Sequence, residues 1–348
     1  MLPFVAGAGL ANIDLTFSGL PRLPNEGEEL YADEFSIHLG GGSLGTLVNV
    51  SKLGIPVRVG TYLGDDMFSR FVFKELETLP VTITNLYKAD HGAIPLNISV
   101  AALTAHDRTF LSYTDKKAPA DNELQAVFEL CRGARIVDMQ MGYIEVYRKL
   151  KEEGSTLIFD MAWEDAVPRS VYESYLELAD YWTANRQEAL KFTGCKDVSS
   201  AARVLRNWLE TPIIKLDASG CLIYDGEEHI IPPVREFVHI DSTGAGDAFL
   251  AGLIYGLYHQ RPIEDAVLMG NITGGKCVTA KGALTAFVTE PELLYLFEKY
   301  RNADGQQKST DVPKNTLYTD NERGLDALVG EGPSFKRTEK PDMPDSLS

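Results

Sequence analysis

Short runs of apolar and β-branched residues alternate along the chain with segments of helical periodicity. The runs that predict buried strands are PFVAGAG, VRVGTYL, ARIVDMQM, STLIFDM, YWTAN and TPIIKLD, and the helical segments include FSRFVFKELETL, SAARVLRNWLE and PELLYLFEKYRN. Continuously apolar strands are typical of a parallel sheet whose two faces are covered by helices. The pattern therefore predicts an α/β fold with a doubly wound, mostly parallel sheet.

Two segments depart from this alternation. Residues 27–39 and 96–117 alternate polar and apolar side chains, which is the pattern of strands with one face in water. Both are inserted between α/β units, so we expect them to form a small separate β-sheet, a lid over the carboxyl-terminal edge of the main sheet. Open α/β sheets bind their ligands at that edge.

The last part of the chain has a different character. Residues 304–348 are polar, contain several prolines and lack sustained periodicity, and this composition predicts a largely disordered tail. Residues 1–303 are long enough for one large domain with a substantial core, which would include the lid.

Composition and charge narrow the class of protein. The formal net charge of −17 argues against nucleic acid as a partner, because phosphate binding relies on Lys and Arg. The four cysteines have no metal-ligand spacing, and no apolar run approaches the roughly 20 residues that span a bilayer. The first residues lack the basic region of a signal peptide. We therefore expect a cytoplasmic protein that contacts no membrane.

The segment Asp241-Ser-Thr-Gly-Ala-Gly-Asp247 carries the sharpest chemical signal. It lies between FVHI, which predicts a strand, and an apolar helix from Ala248. A glycine-rich turn at this place leaves backbone N–H groups free at the helix start, and such groups bind anions. Asp247 could accept a proton from an attacking hydroxyl there. The same residues also fit a plain helix start, with glycine for the turn and Asp for the helix dipole.

Three weaker motifs accompany it. Gly40–Gly42 follow a predicted strand and precede a helix, which suits either a ligand site or a tight turn. Asn12 and Asp14, at the end of the first predicted strand, could bind substrate hydroxyls or initiate a turn. Asn185 and Glu188 have the spacing of a helix capping box, and near a phosphate site they could also hold Mg²⁺ through water.

In this order, the motifs resemble those of the ribokinase-like (PfkB) family of carbohydrate kinases over roughly residues 3–290. The most specific segment is Asp241-Ser-Thr-Gly-Ala-Gly-Asp247-Ala-Phe, which is close to the family's D-T-x-G-A-G-D-x-F signature. The amino-terminal signature is recognisable from His38–Gly42 to Gly64-Asp65-Asp66, and the run 106–110 resembles a lid hairpin.

The resemblance implies ATP-dependent transfer of the γ-phosphoryl group to a hydroxyl, usually a primary alcohol, of a sugar or sugar-like molecule. It assigns Asp247 as the catalytic base, and Gly244, Ala245 and Gly246 together with the Asp247 amide as the anion hole. The residues implied for the sugar site are Asn12, Asp14, Gly41, Gly42 and Arg108.

The resemblance also implies a nucleotide site and two kinds of cation. The residues near ATP would be Asn185, Lys215, Asp217, Gly220, Asn271 and Gly274. Mg²⁺ would be held through water by Asn185 and Glu188, and a monovalent cation such as K⁺ lies beside the position of Asp241 in several members.

Three departures leave the substrate open. Gly45 stands where many members carry Asn, Asp217 stands where many carry Gly, and residues 160–163 lack the D-x-N-x-R pattern of fructokinase-like members. A sugar phosphate remains possible as substrate, since Arg108, Lys116 and Lys117 lie on the predicted lid, and so does a nucleoside. A non-catalytic binding protein is the alternative from another class, although the presence of Asp247 favours an enzyme. The one apolar face of the lid strands predicts a homodimer.

Overall fold

The computed structural model describes residues 2–88, 94–104, 108–114, 119–160 and 164–307. The described residues as far as Gly305 belong to one compact unit. Several predicted features lie outside the described residues: 106 and 107 of the expected lid hairpin, Lys116 and Lys117, residues 161–163, and the part of the predicted tail from residue 308. The first residues of that tail, 304–307, are helical rather than disordered.

The strands and helices alternate largely as the hydrophobic pattern predicts. The strands are β1 (Val5–Ala8), β2 (Asn12–Leu20), β3 (Glu34–Leu39), β4 (Val57–Thr61), β5 (Val81–Asn85), β6 (Asn97–Thr104), β7 (Arg108–Tyr113), β8 (Ile136–Met139), β9 (Thr156–Phe159), β10 (Tyr181–Asn185), β11 (Ile213–Lys215), β12 (Cys221–Tyr224) and β13 (Glu228–Ile231). The helices are α1 (Ser43–Lys52), α2 (Met67–Glu77), α3 (Asp121–Cys131), α4 (Ile144–Glu152), α5 (Arg169–Leu176), α6 (Arg186–Thr193), α7 (Val198–Leu205), α8 (Ala245–Tyr258), α9 (Ile263–Cys277) and α10 (Glu290–Gln307). None of these helices is both long and apolar enough to cross a membrane.

The main sheet has the strand order β13-β12-β11-β10-β9-β8-β1-β4-β5. Along this order, every pair of neighbouring strands between β11 and β5 is parallel. The pairs β11–β12 and β12–β13, at the other end of the sheet, are antiparallel. Every residue of β1 and of β8 is buried, as expected for strands covered on both faces. The direction of winding reverses between β1 and β8, and ligands bind beyond the carboxyl ends of the strands at such a point. The predicted fold class is confirmed.

The lid is a separate sheet with the order β3-β2-β6-β7. The expected strand over 27–39 is confined to Glu34–Leu39, since residues 27–33 form no strand and Gly27 has a φ of 81°. The prediction for 96–117 is realised as β6 and β7, whereas β2 was missed. Asn12 and Asp14 therefore lie on a lid strand rather than at the end of the first main strand. The small residues of VAGAGLA obscured the break between β1 and β2.

The helix α8 packs closely on α9. A Cβ atom on Gly252 would lie 2.3 Å from Oγ1 of Thr273, and one on Gly256 would lie 2.5 Å from Cα of Ala266. The two glycines therefore allow the helices to approach each other. The strand predicted at FVHI is absent, because Val238 is 75% exposed and this run does not enter the sheet.

Candidate active site

Asp247, in the first turn of α8, meets the glycine turn before α1. The amide of Gly42 donates a 3.0 Å hydrogen bond to Oδ2 of Asp247, across 205 residues of sequence. A Cβ atom on Gly41 would lie 2.1 Å from the same oxygen, and one on Gly45 would lie 3.4 Å from it. Gly41 and Gly45 thus allow the backbone before and at the start of α1 to approach the carboxylate closely.

The surroundings of Asp247 suit proton transfer near neutral pH. Burial, followed by the negative charge of Asp160, raises the pKa of Asp247 to about 7, while the Gly42 amide and Lys215 act in the opposite direction. A carboxylate with a pKa close to the working pH combines a useful ionised fraction with appreciable proton affinity. The group can therefore act as a general base.

The turn before α8 leaves amides available for an anion. Gly244 caps the helix with a φ of 76°, and a Cβ atom there would lie 2.4 Å from Cβ of Ala283, so the turn requires glycine. The amide of Ala245 donates to the carbonyl of Ser242 at 3.2 Å. Among the described residues, the amides of Gly246 and Asp247 have no hydrogen-bond acceptor. Of the four predicted anion-hole amides, that of Ala245 is thus occupied, whereas those of Gly246 and Asp247, and likewise that of Gly244, have no acceptor among the described residues.

A largely buried cation, Lys215, lies beside these amides, with its side chain 18% exposed. Nζ of Lys215 lies 3.5 Å from Oδ1 of Asp160 and 3.4 Å from where a Cβ atom on Gly246 would lie. Burial lowers the pKa of Lys215, but the carboxylates of Asp160, Glu188 and Asp247 more than offset this and raise it above its ordinary value. Lys215 is therefore charged, and together with the free amides it forms a cradle for an anion.

Asn185 and Glu188 form the predicted capping box of α6. The Asn185 side chain accepts the Glu188 amide at 2.9 Å, and Oε2 of Glu188 accepts the Asn185 amide at 2.7 Å. In the sheet Asn185 pairs directly with Lys215. The capping interpretation is confirmed, and the pair also lies next to the cradle. The described residues contain no group of three or more His, Cys, Asp or Glu side chains that could hold a metal ion.

Three other residues predicted to lie near the nucleotide stabilise the backbone in this region: Asp217, Gly220 and Asn271. Asp217 has a φ of 52°, in the left-handed region that favours the glycine found there in many family members. A Cβ atom on Gly220 would lie 2.2 Å from the carbonyl oxygen of Ile231. The side-chain amide of Asn271 donates to the carbonyls of Ile231 and Pro232, so it holds the chain after β13.

Gly274, on α9, belongs to the packing of α9 against α8. A Cβ atom there would lie 3.1 Å from the carbonyl oxygen of Ala245. This contact places the glycine one residue from the free amides. Its position is close to the predicted nucleotide site, although its evident role is to let the two helices approach.

Asp14 offers an unsatisfied polar atom on the lid side. The Asn12 side chain donates to Oδ1 of Asp14 at 2.9 Å, while the buried Oδ2 has no partner among the described residues. Burial raises the pKa of Asp14, partly offset by Asn12 and His38. Buried carboxylate oxygens normally have hydrogen-bond partners, so a hydroxyl-bearing ligand fits here. Arg108, the remaining residue predicted for the sugar, begins β7 and pairs with Leu103.

Asp241 connects two loops. Its Oδ1 accepts the amide of Thr243 at 3.0 Å and the hydroxyl at 2.8 Å, and its Oδ2 accepts the amide of Gly282 at 3.0 Å. Both carboxylate oxygens thus hold the turn that leads into α8.

Several polar residues were missed by the sequence analysis. Asp138 lies on β8, Asp160 follows β9, and Thr183 on β10 donates to Oδ1 of Asp160 at 2.9 Å. Asp138 is fully buried, and the hydroxyl of Ser43 donates to its Oδ2 at 2.5 Å. Asp138 and Asp160 lie at or just beyond the carboxyl ends of adjacent parallel strands, and Thr183 lies in the middle of the next strand. A polar residue at the carboxyl end of a predicted parallel strand could have indicated a site residue, because open α/β sheets bind ligands at that edge.

Comparison with known proteins agrees with this geometry. Residues 4–290 match the family described as pfkB family carbohydrate kinase. Aminoimidazole riboside kinase of Salmonella typhimurium is 27% identical over 268 residues, which cover 71% of this chain and 84% of that protein. Cytidine kinase of Thermococcus kodakarensis is 26% identical over 254 residues, covering 66% of this chain and 84% of that protein.

A solved structure shares the fold. Arabidopsis thaliana ribokinase, complexed with ribose and ATP, superposes with a TM-score of 0.70 and 23% identity over 86% of this chain and 99% of that one. Because the family match extends from β1 to the start of α10, most of the chain is accounted for. The chain belongs to the pfkB family of carbohydrate kinases.

Proposed function

We propose that this kinase transfers the γ-phosphoryl group of ATP to a hydroxyl of a sugar or sugar-like molecule, with Asp247 as the general base. One observation carries the proposal: the Asp247 carboxylate, the free amides of α8 and the charged Lys215 meet at one point of the sheet edge. A nucleophile activated there would face a phosphoryl group bound in the cradle.

The reaction would proceed by in-line displacement. The acceptor oxygen forms a bond to the γ-phosphorus while the bond from that phosphorus to the β,γ-bridging oxygen breaks, and ADP leaves. Asp247 takes the proton of the acceptor hydroxyl, consistent with its pKa of about 7. Positioned base catalysis of this kind contributes about 10²- to 10⁴-fold.

The cradle would stabilise the negative charge of the transferring phosphoryl group. The amides of Gly246 and Asp247 point out of the start of a 14-residue helix, whose dipole favours negative charge. Lys215 adds a full positive charge, and Asp160 holds its Nζ in place from 3.5 Å. Groups fixed in advance in this way need no reorganisation as charge develops.

The oxygen-rich side chains beside the cradle fit Mg²⁺, which favours few protein ligands and several waters. Asn185 and Glu188 would hold it through water, and Mg²⁺ supplies neutralisation of the phosphate charges when bound. Asp241 links two loops, because both of its oxygens accept hydrogen bonds. A carboxylate has about four lone-pair sites, so these bonds are compatible with the proposed monovalent cation, such as K⁺, beside it. No step requires K⁺.

The acceptor would bind between Asp247 and the lid. The unsatisfied Oδ2 of Asp14 calls for a hydroxyl donor. A nucleoside is the second candidate, and one observation favours it. By strand register, Phe110 lies on the same lid face as Asp14 and is 49% exposed, so it could stack on a base. The two relatives whose names contain riboside and cytidine agree with this candidate.

The proposed activity can be tested with a coupled assay of ADP release. The panel would contain pentoses, hexoses, polyols, keto-deoxy acids, sugar phosphates and nucleosides, with a no-acceptor control for hydrolysis. Acceptor-dependent ADP release is expected with at least one class. Absence of release with all of them would favour a non-catalytic binding protein.

We further propose that the enzyme is a homodimer formed through the lid. The outer face of the lid sheet is apolar, and several of its side chains are at least 38% exposed: Phe17, Phe35, Ile37, Leu111 and Tyr113. Contiguous apolar patches of this kind mark association surfaces. The symmetric occupant that fits is the lid of a second copy.

A further inference from the structure

A buried carboxyl group lies beneath the catalytic edge and has no part in the proposed phosphoryl transfer. Asp138 is 0% exposed, on a strand next to the reversal point of the main sheet. Its Oδ2 is 2.5 Å from Oγ of Ser43, and its Oδ1 has no hydrogen-bond partner among the described residues. A buried carboxyl group with an unsatisfied oxygen costs free energy of folding, so we ask what function this group has.

Asp138 is connected to the catalytic base through a short path. Ser43 is the first residue of α1 and directly follows Gly42, whose amide donates to Oδ2 of Asp247. The bond from Asp138 therefore fixes the residue next to that amide. Gly42 has a φ of 79°. The Gly40 amide, which donates to the carbonyl of Asn12 at 2.7 Å, holds the turn on one side, and the Ser43 bond holds it on the other.

The groups that face Asp138 make its ionisation unfavourable. Among them, the carboxyls of Asp160 and Asp247 oppose a second negative charge. The thiol of Cys131 on α3 and the phenol of Tyr147 on α4 also face Asp138 but stay neutral, because burial raises the pKa of each. Burial raises the pKa of Asp138 to about 8, and the charges of Asp160 and Asp247 reinforce this rise. The Ser43 bond and, more weakly, the nearby Gln140 side chain oppose it. A neutral Asp138 also adds no repulsion to Asp247.

We propose that Asp138 is a positioning residue that holds Ser43 and thereby keeps the Gly42 amide against Asp247. It does so in its protonated form. The role rests on the proposed function of Asp247 as the base. It would act through the geometry of the glycine turn, without contact between Asp138 and the substrate.

Activity and stability can be separated with Asp138→Leu and Ser43→Ala. We expect Asp138→Leu to change Tm little, since removal of the buried carboxyl offsets the loss of the partner of the Ser43 hydroxyl. It should nevertheless lower kcat at least about tenfold with KM for ATP unchanged, because displacement of a catalytic group is costly. Ser43→Ala should lower kcat similarly.

Asn49→Leu is the matched control: Asn49 is also buried, has an unsatisfied Nδ2 and lies on α1. It should leave kcat within about twofold.

The protonation state can be tested with Asp138→Asn, which keeps the shape without a titrating proton. In the unfolded chain Asp138 would ionise near 3.8, whereas burial holds its proton in the fold. Rising pH therefore destabilises the wild type between these two values, and the Tm advantage of Asp138→Asn should widen from about pH 5 to about pH 8. The acid limb of kcat/KM should not move.

Three results would overturn the inference: full kcat in Asp138→Leu, a Tm difference independent of pH, or an acid limb shifted downward in Asp138→Asn. The last would mean that an ionised Asp138 acts on Asp247. If Asp247→Asn instead retains turnover, the base assignment fails, while the Tm comparison still reports on Asp138.

Discussion

Gly41 and Asp247 are in such close contact that a Cβ atom on the glycine would lie 2.1 Å from Oδ2 of the carboxylate. Gly41→Ala must therefore displace either the turn or the base. We expect kcat to fall by about 100-fold, the loss typical of a misplacement near 1 Å, with the fold retained by circular dichroism. Gly27→Ala is the control, because Gly27 has a φ of 81° but nothing near its Cβ position. It should lose stability without losing kcat.

Removal of the base tests the chemistry directly. Asp247→Asn preserves size and should leave the calorimetric affinity for ATP within a few-fold, while kcat falls by about 10²- to 10⁴-fold. Asp121→Asn, another Asp in the first turn of a helix, provides the comparison and should retain full activity. Unchanged turnover in Asp247→Asn would remove the assigned role.

The pKa of Asp247 predicts the pH profile. Because the pKa is raised to about 7, the base is ionised above this pH and becomes protonated below it. We expect kcat/KM to fall about tenfold for each pH unit below the pKa and to level off above it. Measurement in buffers of constant ionic strength checks this. A flat profile down to pH 5 would contradict proton acceptance by Asp247.

Variants of Lys215 and Asp160 should show that Lys215 contributes separately to catalysis and to stability. Lys215→Met should lower kcat by about 100-fold or more and also lower Tm, because Asp160 loses its cation. Adding Asp160→Asn should recover part of the Tm but none of the activity. Recovery of kcat in the double variant would show that Lys215 serves only to neutralise Asp160.

The apolar lid face predicts the oligomeric state. Phe17 and Phe35 contact each other on this face with ring centroids 4.9 Å apart. Phe35→Asp should convert a dimer into a monomer at micromolar concentration, measured by light scattering after gel filtration. Tyr295→Asp changes a residue that is 69% exposed on α10 and should leave the dimer intact. A monomeric wild type would exclude the assembly.

The sequence predicted the main sheet well because its strands are continuously apolar, as in the fully buried β1 and β8. It also indicated Asp247 and the glycine turns, whose residue types are tied to special backbone geometry. The lid strand β2 was missed because small residues blur its junction with β1. The run at FVHI was wrongly predicted as a strand, because an apolar run alone does not reveal that it lies on the surface.

Contacts between distant segments could not be predicted. Ser43 and Asp138 are 95 residues apart, and nothing local in either segment indicates the other. The pairing of Lys215 with Asp160 likewise depends on the neighbouring positions of β9, β10 and β11. Only the order of the strands brings these side chains to one edge.

The close packing of α8 on α9 through Gly252 and Gly256 has a consequence for how specificity can change. The proposed base and the free amides share one helical turn, so they move as a single rigid piece. The proposed acceptor contact at Asp14 belongs to another sheet. In the proposed reaction, chemistry and substrate choice thus occupy separate structural modules, so the lid could diversify while the helix with the proposed base stays in place.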